Sequence, residues 1–461
     1  MFDKSIYTGR RQKLKQQLGS GLVLLLGNED SSINFKDNLY PFRQDSSFLY
    51  FFGLDRPGLA GIIDIDNDRE VLFGRDSSLD DIIWIGQQPS LAMHADGVGV
   101  AETQPYDKLG AFLQHTGAKS QAIHFLPPYR PENILKLSAW LGIAPSMLKE
   151  RSSVGLIRAI VAQRSVKSPE EVVEIEEAAD ITAAMHLAAI QGAKEGMTEA
   201  ELAGVLHGIA VSAGGNLSFS TILTVNGQVL HNHYGSHILE TGKMVLCDCG
   251  AENPLHYAGD MTRTFPVAKK FTSVQKEMYE IVLSSQQAAA DALRPGVLFR
   301  DIHFLAAEKL VDGLKAAGLM KGDSKEAVAA GAHTLFFQCG LGHMMGLDVH
   351  DMEDLGEEYV GYTDELKKSK EFGLKSLRLG RALEAGFVVT IEPGLYFIPE
   401  LMDLRRSEKK FEAFIDYDRL GSFRDFGGIR IEEDFLITPS GSRLLGKPLP
   451  KTVADIEALR G

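Results

Sequence analysis

The sequence predicts an α+β protein built as two domains, and three observations carry that prediction. At 461 residues, 44% of them hydrophobic, the chain exceeds one ordinary core and has apolar material for two. Short apolar runs crowd the first third, whereas longer amphipathic stretches with isolated strand-like runs fill the rest. Strands and helices do not alternate strictly in that second part, which favours an α+β sheet with helices on one face over a doubly wound parallel sheet.

From Met1 to about Gln163 the runs GLVLLLG, FLYFFG, AGIIDID, EVLFG, DIIWIG and AIHFL alternate with turn and helical stretches, as a mixed α/β sheet flanked by helices requires. The run from Gly21 follows a mixed-charge stretch and is too short for a signal peptide or a membrane span, so it reads as a buried strand. A boundary near Ser165 divides the chain into domains 1–165 and 166–461. Its marker is Ser168-Pro169-Glu170-Glu171, which supplies an N-cap, a proline at the first helical position and an acidic first turn. Beyond it the pattern predicts helices over Pro169–Lys194 and Thr198–Ala213, then strands around Ser218–Val225 and Lys243–Asp248. Helices over Ser273–Leu293 and Leu298–Ala317 follow, with further strands near Val388 and Ile429.

A net charge of -14 argues against nucleic acid and anionic membrane as partners. The three cysteines, Cys247, Cys249 and Cys339, are too few for a disulfide framework, which points to a reducing cytoplasm. Cys247 and Cys249 flank Asp248 on a predicted strand and therefore pack the face opposite it.

Four short segments carry the chemistry. They are VLCDCGAENPLHYAGDMTRTFPV with Asp248 and Asp260, CGLGHMMGLDVHD with His343 and His350, VVTIEPGLYF with Glu392, and GGIRIEEDFLIT with Arg430 and Glu432. Four carboxylates and an imidazole are hard or borderline ligands, suited to Mn, Co, Zn or Fe(II). Two such ions can share a water, lower its pKa and polarise a scissile carbonyl. The midpoint of Asp248 and Asp260 is residue 254, so a hairpin turning at Pro254 would set the two carboxylates directly opposite each other. Arg430 and Glu432 share a strand face, and the same alternation turns Glu433 toward solvent. Glu392 stands at a strand exit before Pro393-Gly394, with apolar flanks that argue for burial. GLGHMMG lacks the glycine spacing of a dinucleotide site.

In this order the segments resemble the aminopeptidase P and prolidase branch of the pita-bread metallopeptidases, and RQDSSFLYFFG and DIIWIGQQPS resemble the N-terminal domain of aminopeptidases P. The resemblance spans nearly the whole chain. It implies a pita-bread catalytic domain over 166–461, two divalent ions per chain with Mn(II) as the first expectation and Co(II), Zn(II) or Fe(II) as alternatives, and a homodimer or higher oligomer. The implied substrate is a peptide or dipeptide with proline in second position. By resemblance Asp248 chelates one ion, His343 and Glu392 complete the other, Asp260 and Glu432 bridge, and Glu392 also serves as general base. His231 and His350 match family histidines near the substrate carbonyl, and Arg430 matches an arginine that orients ligand carboxylates.

The main expectation is an Xaa-Pro aminopeptidase. A dipeptidase of the prolidase type is the alternative, since GLKSLRLGRALEAGFVVTIEPGLYFIP resembles prolidases and sets Arg378 where they bind a dipeptide carboxylate. A non-enzymatic binding protein on the same fold, or a metal-free creatinase-like hydrolase, would not keep the five ligands. One departure stands out: Cys339 occupies the place of a family histidine before Gly340-Leu341-Gly342-His343, and a thiolate there would make activity sensitive to oxidation.

Overall fold

The structure, a computed structural model, describes residues 1–118 and 120–461. The chain divides into two compact units, Met1–Arg164 with Asp354–Tyr359, and Ser165–Glu353 with Val360–Gly461.

In the first unit β1 (Leu22–Leu26), β2 (Ala60–Asp64), β3 (Arg69–Gly74), β4 (Glu102–Pro105) and β5 (Ile123–His124) form one sheet of order β4-β3-β2-β1-β5. The β1–β5 and β3–β4 pairs are parallel and the others antiparallel, which makes it the mixed sheet expected. Leu22, Leu24, Ile62, Val71 and Phe73 pack one core with Leu109, Leu113 and Leu137. Two of the apolar runs are helices instead of strands. Asp45 caps Ser46–Phe52 by accepting from the Phe48 amide at 2.8 Å, and Gly53 closes it in the left-handed region at φ 62. A Ser78–Asp81 capping box starts Leu79–Ile85, no residue of which is buried. Periodicity cannot separate strand from helix over runs this short, and the caps decide.

In the second unit the Ser168–Glu171 capping box starts the helix Pro169–Gly192, and Thr198 with Glu201 starts Glu199–Ser212. Ser273–Ala292 packs along Phe299–Ala316. The strands are β6 (Asn216–Leu217), β7 (Ile222–Thr224), β8 (Met244–Cys249), β9 (Ala251–Glu252), β10 (Met261–Pro266), β11 (Val388–Ile391), β12 (Gly394–Tyr396), β13 (Gly428–Arg430), β14 (Glu433–Thr438) and β15 (Gly441–Leu444). They make sheets β10-β8-β7 and β11-β14-β15 with the pairs β12–β13 and β6–β9. Single bridges, Thr262 to Glu432 and Met344 to Val389, stitch these together around the site. Every residue of β8 and β10 is buried, and truncating Phe265 to Ala would cost about 3–5 kcal/mol.

The β8–β10 hairpin corrects the expected register. Asp248 pairs with Thr262, and Glu252 bridges Ala258, so the turn centres one residue beyond Pro254 and Asp260 is not directly opposite Asp248. Asn253 governs the turn: its side-chain oxygen accepts from the Leu255 and Tyr257 amides at 3.1 and 3.0 Å. A one-residue shift of the centre moves the pairing by two, which preserves parity and keeps both aspartates on one face. Among the described residues no helix is long and apolar enough to cross a membrane.

Candidate metal centre

Five side chains reach one cavity of about 240 Å³ from five places in the chain: Asp248 from the end of β8, Asp260 from just before β10, His343 from the GLGH turn, Glu392 after β11, and Glu432 between β13 and β14. The GLGH turn lies against β11, with the His343 amide on Thr390 Oγ1 at 3.1 Å and the Glu392 amide on the Leu341 carbonyl at 2.8 Å. A Cβ on Gly342 would come 2.1 Å from the Thr390 carbonyl oxygen, so only glycine permits this approach. His343 Nδ1 donates to the Met344 carbonyl at 3.0 Å, which leaves the Nε2 lone pair facing Asp260 at 3.4 Å and Glu392 at 3.7 Å. Glu432 accepts from Thr262 Oγ1 at 2.7 Å.

Arg430 closes the constellation from behind. Its guanidinium donates to Asp248 Oδ2, to Tyr396 Oη at 2.7 Å and to Thr262 Oγ1 at 3.1 Å, so one planar fork orients Asp248 directly and Glu432 through Thr262.

The electrostatics explain what the cluster needs. Burial, and then repulsion by Asp248, raise the Asp260 carboxyl well above its ordinary range; burial and Asp260 do the same to Glu432. Burial also raises Glu392, while burial lowers His343. Asp248 Oδ1 and Asp260 Oδ1 are buried with no hydrogen-bond partner. Atoms of Asp260, His343 and Glu432 lie within 4.8 Å of one another. Crowded carboxylates with unmatched oxygens and an imidazole lone pair are poor company for each other and a good fit for divalent cations.

The histidines divide by position. His231 is exposed and lines the cavity, as does its neighbour His233. His350 also lines it, with its ring 4.4 Å from that of His343, and burial pulls it down to about 4, so it is neutral at pH 7. Its Nδ1 donates to Glu353 Oε2 at 2.6 Å, and Glu353 Oε1 holds Arg378 Nη1 at 3.2 Å. Arg378 is half-buried and does not line the cavity itself.

Two expectations from the sequence need correction, and one residue is new. Glu433 does not face solvent: it is buried, and Arg263 at 2.8 Å and Lys451 at 2.6 Å pair with it. Two cations on the face away from the cavity made burial affordable for that carboxylate. Cys339 is a thiol at neutral pH, because burial and the Glu392 charge push it up to about 12. Asp434 was missed. It is fully buried and accepts from the Asp260 amide at 3.1 Å, and carrying the alternation of Arg430 and Glu432 one step further would have found it. Tyr396 and Thr262 carried no signal, since their roles depend on which strands adjoin. Cys247 and Cys249, on β8 and outside the cavity lining, have sulfurs 3.8 Å apart, beside His186, whose Nε2 is committed to the Met261 carbonyl at 2.9 Å. They pack the core as expected.

An α+β unit that aims four carboxylates and an imidazole into one cavity defines a metallohydrolase. Metallopeptidase family M24 matches residues 173–439, and the aminopeptidase P N-terminal domain matches residues 7–124. The chain belongs to metallopeptidase family M24. It is 32% identical to an Xaa-Pro dipeptidase of Homo sapiens over 98% of this chain and 93% of that protein. It is 31% identical to an Xaa-Pro aminopeptidase of Escherichia coli (strain K12) over 98% of this chain and 96% of that protein. A solved structure of Escherichia coli aminopeptidase P in complex with substrate is similar at TM-score 0.82 and 28% identity, covering 100% of this chain and 98% of that one.

Proposed function

We propose that this chain is an Xaa-Pro aminopeptidase that removes the residue preceding an N-terminal proline peptide bond. The observation that carries the reading is the convergence of Asp248, Asp260, His343, Glu392 and Glu432 on one cavity, in a chain similar along its length to Xaa-Pro peptidases. Asp248, Asp260, His343, Glu392 and Glu432 would together hold the metal ions. Two divalent ions, Mn(II) first among them, would supply an activated water and a polarised carbonyl. Glu392, its proton affinity raised by burial, accepts the proton of the attacking water. His231 donates a hydrogen bond to the carbonyl oxygen as it gains charge, while neutral His350, whose one ring proton sits on Nδ1 and is held by Glu353, offers an Nε2 lone pair that accepts from a substrate N–H. Arg430 holds the carboxylates in place throughout.

A dipeptidase is the second reading, supported by Arg378 and by similarity to Xaa-Pro dipeptidases. The geometry favours the aminopeptidase, because Arg378 is already engaged by Glu353 and stands outside the cavity lining. A homodimer or higher oligomer in the cytoplasm accords with the family and with three free cysteines.

The deciding experiment compares Xaa-Pro-Xaa and Xaa-Pro hydrolysis by chelated protein before and after Mn(II) is restored. Activity should return only with metal, on the longer peptide above all, and Asp260→Ala or Glu432→Ala should abolish it. Full activity of either variant after chelation would overturn the reading, as would a chain that never takes up stoichiometric metal.

A further inference from the structure

One carboxylate in this molecule serves two partners of opposite purpose. Glu353 Oε2 accepts from His350 Nδ1 at 2.6 Å, while its Oε1 pairs with Arg378 Nη1 at 3.2 Å. His350 lines the cavity; Arg378 stands behind it, close enough for its charge to act on His231, His343 and Glu392. Any substrate carboxylate drawn toward Arg378 therefore meets a cation that an internal carboxylate has already neutralised.

Resting on the Xaa-Pro reading above, we propose that Glu353 sets substrate length: by holding Arg378 it disfavours free Xaa-Pro dipeptides and leaves longer peptides unopposed. A dipeptide brings a full negative charge to the position after proline. It must displace Glu353 from Arg378 or lie beside it, and two carboxylates against one guanidinium repel. A longer peptide brings a neutral amide to the same position and meets neither obstacle. Glu353 also fixes His350 with Nδ1 as donor, so its Nε2 is the nitrogen that faces the cavity. Glutamine at 353 separates the two duties, since its side-chain oxygen still accepts from His350 while the Glu353 charge no longer offsets that of Arg378.

The test uses the metal-loaded full chain and measures kcat and KM on an Xaa-Pro dipeptide and the matching Xaa-Pro-Xaa tripeptide. Because the pair is partly exposed, with side chains 30% and 41% accessible, its influence is modest. Glu353→Gln should shift the ratio of the two KM values about fivefold toward the dipeptide. Adding Arg378→Ala should erase that shift. The wild-type enzyme offers a second measurement: the neutral amide of the dipeptide should show a lower KM than the free acid. An unchanged KM ratio in Glu353→Gln, an equal kcat loss on both substrates, or a lower KM for the free acid would overturn this inference alone. A wild type that hydrolyses neither peptide with metal bound would overturn the Xaa-Pro reading and this inference together.

Discussion

Arg430 illustrates what a single side chain contributes here. Its fork reaches Asp248, Tyr396 and Thr262 at once, a geometry that a lysine ammonium cannot reproduce. Arg430→Lys should therefore lower kcat by roughly ten- to a hundredfold and weaken metal retention, measured as turnover alongside metal content. Unchanged kinetics would mean that the carboxylates orient themselves. His231 makes the contrasting case, because it lines the cavity without contacting the carboxylates that would hold metal. His231→Ala should lower kcat by about a hundredfold with metal content intact. Loss of metal with unchanged turnover per remaining ion would reassign the residue. The convergence of Asp248, Asp260, His343, Glu392 and Glu432 was legible in the sequence because carboxylate and imidazole chemistry is written in residue identity. Glu433 was misread because its cations, Arg263 and Lys451, come from distant segments.

Elements were legible where caps mark them. The Ser168 capping box announced its helix, whereas the Asp45 and Ser78 caps were overlooked beneath apolar runs that resemble strands. The helix Phe299–Ala316 and the turn Ala332–Leu335 add something no pattern shows: His303 and His333 are buried with all four ring nitrogens lacking a partner. Burial lowers them to about 3 and about 4, with His333 adding to the shift at His303. Both imidazoles are neutral when folded and charge readily when unfolded. Their contribution to stability is present above the unfolded value of 6.5 and is lost as pH falls toward about 4 and about 3. His303→Leu should narrow the drop in Tm between about pH 7.5 and about pH 5, and an equal drop in wild type and variant would refute the assignment.

For the whole molecule the metal centre reverses that sign. Asp260, Glu392 and Glu432 have folded carboxyl pKa values raised above 3.8 and 4.5, so the ligand-free protein folds best with them protonated. That advantage holds below the unfolded values and disappears as pH rises through the raised folded ones. Divalent ions remove the penalty, so the gain in Tm on adding Mn(II) to chelated protein should be larger at about pH 8 than at about pH 5. Equal gains at both would show that the carboxylates do not share a cation. The two-domain plan and the acidic balance were visible in length and composition. The hairpin register was not, because the Asn253 side chain sets the turn and parity alone cannot locate it.

The first compact unit is assembled from Met1–Arg164 and from Asp354–Tyr359, with Arg158 lying over the Tyr359 ring at 5.9 Å. A ribosome releases these pieces at very different times. The nascent first unit must wait, one short segment incomplete, until most of the second has been synthesised. A fragment ending at Arg164 lacks that segment however long it is given to fold. Excising the first unit as a stand-alone domain would thus leave an open seam where Asp354–Tyr359 belongs, and supplying that stretch as a separate peptide is the way to close it.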